Sequence, residues 1–134
     1  MDKEVFVLCE AATEMGGKLN LLGAFDHIYS KTAPAIHPQC AIVLRVRFYL
    51  IEKGDHKIRV NIVDEDGKQI LPGLDAAISV DFPQHINSVV KNLIMNIHGL
   101  KLEKFGRYSV DFAIDGRHES SLPLHFVQRQ QRTT

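Results

Sequence analysis

Polar and apolar side chains alternate along most of this chain, most cleanly toward its end. From Gly106 to Ile114 the alternation is unbroken, stops at Asp115-Gly116, and resumes toward Leu122-Pro123-Leu124-His125-Phe126. Successive side chains on a strand point to opposite faces, so Tyr108, Val110, Phe112 and Ile114 share one buried surface. Asp-Gly supplies the positive φ angles of a tight turn, which predicts a closing β-hairpin.

The same period recurs upstream. Val5, Val7 and Cys9 alternate in a first strand. Lys18–Asp26 reads as a second, with Gly23 marking a bulge or a close backbone approach. Ser30–Gln39, with Pro34 and Pro38, reads as a crossing loop. In the third strand Cys40, Ile42, Leu44, Val46, Phe48 and Leu50 share a face. Glu52-Lys53-Gly54 then reads as a hairpin loop into a fourth strand carrying Ile58, Val60 and Ile62 inward. Asp64-Glu65-Asp66-Gly67 turns the chain again, and Ile78, Val80 and Phe82 mark a fifth strand. Residues 86–98 fit both helical and strand spacing. Their β-branched content, and the strands on either side, favour a strand. The pattern predicts an all-β fold, an antiparallel β-sandwich of about seven to nine strands. It forms one domain over residues 1–127, with a polar tail over 128–134.

Composition narrows the function classes. A chain of 134 residues buries roughly 65–70% of its unfolded surface and needs neither disulfide nor metal to hold together. Its 16 basic and 16 acidic residues balance, so no global field draws it to nucleic acid. The apolar run Val5–Cys9 is too short for a secretory signal, and no stretch approaches the about 20 apolar residues of a membrane span. A cytoplasmic protein with no membrane partner is expected. Cys9 and Cys40 read as two buried thiols rather than a redox pair.

Candidate chemistry is sparse. The seven histidines lack close ligand spacing, and the acidic turn at Asp64 lacks the remaining calcium ligands of an EF-hand loop. No nucleophile-elbow or phosphate-loop motif is present. Ser120-Ser121 lies near His118, without a motif around it. No cofactor is implied. If the 52–54 loop sets the register, Arg47 lies opposite Arg59, Tyr49 opposite Lys57, and Arg45 opposite Asn61. Like charges across a sheet repel. Arg45, Arg47, Tyr49, Lys57 and Arg59 are therefore the candidate partner-binding residues, unless Asp111 neutralises them, and Val43 and Ile51 share that outer face.

Leu19-Asn20-Leu21-Leu22-Gly23-Ala24-Phe25-Asp26-His27-Ile28 and the run from Phe105-Gly106-Arg107-Tyr108 to Asp115-Gly116 resemble a family of small uncharacterised prokaryotic proteins, a domain of unknown function. The resemblance covers about Glu4 to Phe126. It implies an immunoglobulin-like sandwich and transfers no catalytic residue. In such a fold the Tyr108 hydroxyl bonds back to upstream backbone, as in a tyrosine corner. The expectation is a non-catalytic module that binds a protein partner or itself. The alternative is a metal-dependent or hydrolytic enzyme whose site assembles at the sandwich-end loops from His27, His37 and His85. A structural subunit of a larger assembly is a third reading.

Overall fold

A computed structural model describes residues 1–130; residues 131–134, part of the expected tail, lie outside it. The strands are β1 (Asp2–Met15), β2 (Lys18–Ala24), β3 (His27–Ser30), β4 (Ala35–Tyr49), β5 (Gly54–Val63), β6 (Leu74–Val80), β7 (Ser88–Leu102), β8 (Gly106–Ile114) and β9 (Arg117–Gln128). They form two sheets, ordered β2-β1-β4-β7 and β3-β9-β8-β5-β6. The all-β expectation holds, and the strand expected over 86–98 is present as β7, starting two residues later and running on to Leu102. No helix among the described residues is long and apolar enough to cross a membrane.

The inner faces follow the period-2 pattern. Ile42, Leu44, Val46 and Phe48 from the first sheet meet Ile58, Val60, Val110 and Phe112 from the second, all fully buried. The Phe6 and Phe112 rings lie 5.6 Å apart across the gap. Each such side chain contributes roughly 1.5–3 kcal/mol by leaving water. Tyr108 closes one corner: its hydroxyl donates to the Lys104 carbonyl at 2.6 Å and accepts the Lys104 N–H at 3.3 Å. Gly23, at φ +68°, is a close approach as expected. A Cβ there would stand 2.9 Å from Glu10 Cγ.

Four expectations change. First, β4 and β5 are not a hairpin. A 3-10 turn at Leu50–Glu52 carries the chain from one sheet to the other. Both edges of β4 are taken by β1 and β7, and both edges of β5 by β6 and β8. Leu50 thereby leaves the core and is exposed. Second, the expected second strand ends early, at Ala24, and the chain then switches sheets into a further strand, β3, that the pattern did not predict. Third, β3 pairs with β9 in parallel, so the pairing is not wholly antiparallel. Fourth, β4 starts at Ala35 and shortens the crossing loop, while β9 reaches Gln128 and Arg129 N–H bonds the Ser30 carbonyl at 2.7 Å.

The outer face of the first sheet is not open. Cys40 through Leu44 are all fully buried, although alternate residues point away from the sandwich core. The cover is the β1–β2 hairpin. β1 runs antiparallel to β4, so a straight continuation past Cys9 would travel toward Ala35. Instead the Gly17 carbonyl, at the hairpin tip, accepts bonds from Arg45 Nη1 at 3.4 Å and Asn92 Nδ2 at 3.1 Å. The hairpin has doubled back over the sheet. Ala12 and Leu19 pack on a second apolar cluster of Cys9, Ala41 and Val43.

This cover predicts that Val43→Asp destabilises the protein by roughly 3 kcal/mol or more, because a charge would be buried unpaired. Urea denaturation measures it, and protease sensitivity at Gly16-Gly17 reports the lifted hairpin. A valine on an open face would change stability by less than about 0.5 kcal/mol.

Candidate interaction surface

The five expected partner residues do not form one patch. Arg45, Arg47 and Tyr49 lie on the outer face of the first sheet, and Lys57 and Arg59 on that of the second. The opposition of Arg47 to Arg59 therefore does not occur. The β1–β4 register slips between Lys3 and Val5, leaving Glu4 as a bulged residue. Its carboxylate takes both guanidinium groups, Arg45 Nε at 3.0 Å and Arg47 Nε at 2.6 Å. The Arg47 bond, then the Arg45 bond, holds Glu4 below its ordinary pKa. Tyr49 donates its hydroxyl to Asp2. Arg59 faces Asp75 across β5–β6, with Nε 3.5 Å from Oδ1.

Asp111 has a different task from the one expected. It sits on the second sheet opposite Asn61 and accepts the hydroxyls of Ser109 and Ser121, each at 2.6 Å. His118 Nε2 lies 2.8 Å from Ser121 Oγ. Because the Ser121 proton is directed to Asp111, His118 must donate at Nε2. A serine nucleophile needs its histidine as acceptor, and this wiring runs the other way.

The remaining histidines occupy separate settings. His27 Nδ1 lies 2.5 Å from Asp26 Oδ1 and its ring stacks on His125 at 4.7 Å. His37 Nε2 lies 3.1 Å from Glu10, and His85 sits in the β6–β7 loop at φ +68°. These three do not assemble into a site: among the described residues no group of three or more His, Cys, Asp or Glu is placed to hold a metal ion. Asp64 accepts the Asp66 and Lys68 N–H groups, each at 2.9 Å, so the acidic turn caps itself. Cys9 and Cys40 are buried free thiols, as read from the sequence. Burial pushes Cys40 up to about 11, with smaller help from Glu10 and Cys9.

What the cross-strand reasoning missed is an edge. β7 has 15 residues and pairs only with β4. Among the described residues it makes no other backbone hydrogen bond to the chain. The other terminal strands, β2, β3 and β6, have 7, 4 and 7 residues. Where β9 runs beyond β3, Pro123 interrupts its free edge. On β7 the only charge before Gly99 is Lys91, opposite Val46, and the alternation runs on to Gly99, at φ +73°, where burial passes from Ile97 to Leu100 and it slips. Val89, Val90, Leu93, Ile94 and Met95 are only half-buried along it. Long, apolar, unpaired edges template strand addition. The signal in the sequence was the run of β-branched residues itself. Which edge stays open depends on sheet order, and local period does not encode that.

One polar cluster sets a pH dependence. His56 gives Nε2 to the Glu52 carbonyl at 2.6 Å and Nδ1 to Asp115 Oδ2 at 2.7 Å. Both ring nitrogens face acceptors, so the imidazolium is favoured. The Glu52 carbonyl, then Asp115, raises His56 above its ordinary value near 6.5. The Lys57 N–H, then His56, lowers Asp115 below its ordinary value near 3.8. The His56 contribution is complete below about 6.5 and is lost as pH rises through its higher folded value. That of Asp115 is present above about 3.8 and is lost only as pH falls through its lower folded value. The urea midpoint is therefore expected to fall between pH 6 and pH 8.5 in the wild type, and to fall less in His56→Gln.

No curated protein matches this chain. A family model matches residues 4–127, nearly the whole length, and its description is a family of unknown function. The half-open two-sheet fold and its self-satisfied polar groups are thus those of a chain that belongs to the family DUF6941.

Proposed function

We propose that the chain is a non-catalytic interaction module with an immunoglobulin-like sandwich, and that it takes its protein partner as an added strand along β7. The sheet orders support the fold assignment. β1-β4-β7 and β9-β8-β5-β6 correspond to the A-B-E and G-F-C-C′ runs of that fold. Tyr108, at the start of the strand equivalent to F, makes the tyrosine-corner bond. β2 is then an addition outside the A strand, used to cover the outer face.

The observation that carries the binding reading is the open edge of β7. Backbone groups on such an edge supply affinity, and half-buried side chains on both faces supply selectivity. The basic residues do less than the sequence suggested. Arg45, Arg47 and Tyr49 flank the edge on the outer face, already bonded within the chain, and act as a rim. Lys57 and Arg59 belong to the opposite face and take no part. The enzyme reading has no observation in its favour, since the Ser121 and His118 arrangement is wired against nucleophile activation.

The test is a probe strand. A peptide alternating Val and Thr, N-methylated on every second residue so that one edge alone can pair, should bind saturably. It should also slow hydrogen exchange of alternate β7 amides. If those amides exchange slowly in protein shown to be monomeric, without peptide, the edge is covered within the chain and the proposal fails. Failure of the peptide to bind the monomer would remove it equally.

A further inference from the structure

The edge has features that choose among partners. One of its two lysines is answered within the chain. Lys101 Nζ lies 3.3 Å from Glu103 Oε1. Asp81, held below its ordinary pKa first by the Phe82 N–H and then by Lys53, also feels Lys91. Lys91 stands opposite Val46 and hence on the inner side of the sheet, out of the pairing direction. Lys91 is the one lysine on the regular stretch 88–98, so the best match is a largely apolar strand that places no cation opposite it. β7 itself meets that condition in a register that sets Lys91 against an apolar residue.

We infer that the partner is a second copy of this chain, joined β7 to β7 in antiparallel fashion about a two-fold axis at Leu93, so that two four-stranded sheets become one of eight. This rests on the reading of β7 as a docking edge. The axis follows from where the strand is regular. Alternation holds from Ser88 to His98 and slips at Gly99, and Leu93 is the midpoint of that stretch. A two-fold perpendicular to the sheet keeps inner faces on one side, so both cores stay continuous. In this register Leu93 faces Leu93 of the other copy, and Val89 faces its Ile97. On the outer face Val90 meets Asn96, and Asn92 meets Ile94. Lys91 lies opposite Met95, against which its methylene stem can pack. A register centred on Asn96 would oppose Lys91 to Lys101, and like charges directly opposite are unfavourable. Isologous strand pairing of this kind closes at two copies because it consumes the edge it uses.

Sedimentation velocity over a wide concentration range reads the assembly, and cross-linking reads the register. Opposite residues have Cα atoms about 4.5–5.5 Å apart, within the about 4.4–6.8 Å that a disulfide spans. Leu93→Cys is therefore expected to form a covalent dimer under mild oxidation. Met95→Cys, whose two copies would lie about 13 Å apart along the strands, is expected not to. Native Cys9 and Cys40 are buried and do not compete. In the wild type, alternate amides within 88–98 should exchange at least tenfold more slowly at high concentration than at low, a readout that needs no variant. A strict monomer that still binds the probe strand would overturn the second copy as partner and leave the docking edge standing. A monomer that binds no strand would overturn both. A dimer in which Met95→Cys cross-links and Leu93→Cys does not, or in which the β7 amides stay fast, would overturn this register or this interface.

Discussion

The structure depends on the middle of β4 being closed off on both faces and both edges. Five consecutive residues, Cys40 to Leu44, lose all contact with water. A strand in a two-layer protein ordinarily has one such face; to hide both, the chain needs a third layer. It makes one by folding β1 past Cys9 back over the sheet with β2. Other features follow from that choice. The tip of the returning hairpin needs donors for its Gly17 carbonyl, and Arg45 and Asn92 supply them. With β1 occupying one edge of β4, β7 takes the other and becomes the outermost strand. With both edges filled, the chain leaving β4 can only cross to the second sheet.

Charge pairing is subordinate to this packing. The bulge at Glu4 brings one carboxylate under two arginines that would otherwise repel on neighbouring positions of β4. All three side chains remain partly in water, so the fork orders the surface more than it stabilises the fold. The same economy appears at His56, where one imidazole ring bridges the 3-10 turn and the β8–β9 turn. Polar residues here are mostly spoken for by their own chain. Among the terminal strands of the described residues, β7 is the longest, and the N–H and C=O groups along its outer edge find no partner in the chain.

Most of the elements were legible in the sequence because each strand carries its period locally. Tyr108 to Ile114, Cys40 to Phe48 and Ile58 to Ile62 all turned the predicted side chains inward. The strand over 88–102 could be recognised by its β-branched residues despite helical spacing. Pairing was not legible, because which strands meet is set by three-dimensional order that period-2 patterns leave open. The Glu52-Lys53-Gly54 segment has the composition of a hairpin loop yet serves a crossover, and the assumed register built on it assembled a basic patch that does not exist. One clue was present and went unused: Cys40-Ala41-Ile42-Val43-Leu44 is apolar at every position, the mark of a strand covered on both faces. Val43 was therefore never available to a partner. The candidate edge was less legible still, since openness is a property of the assembled sheet.

The two-sided burial of the first sheet also decides the fate of its thiols. Cys40 points into the sandwich core, and Cys9 points to the opposite side, under the hairpin. They sit on paired neighbouring strands, near in space, with the sheet itself between their sulfur atoms. A disulfide needs Cβ atoms about 3.5–4.5 Å apart and facing one another, which no side-chain rotation can provide here. Raised above their ordinary pKa by burial, both thiols also stay protonated and unreactive at neutral pH. The fold has the same covalent connectivity in an oxidising compartment as in a reducing one, and its cysteines carry no cellular address.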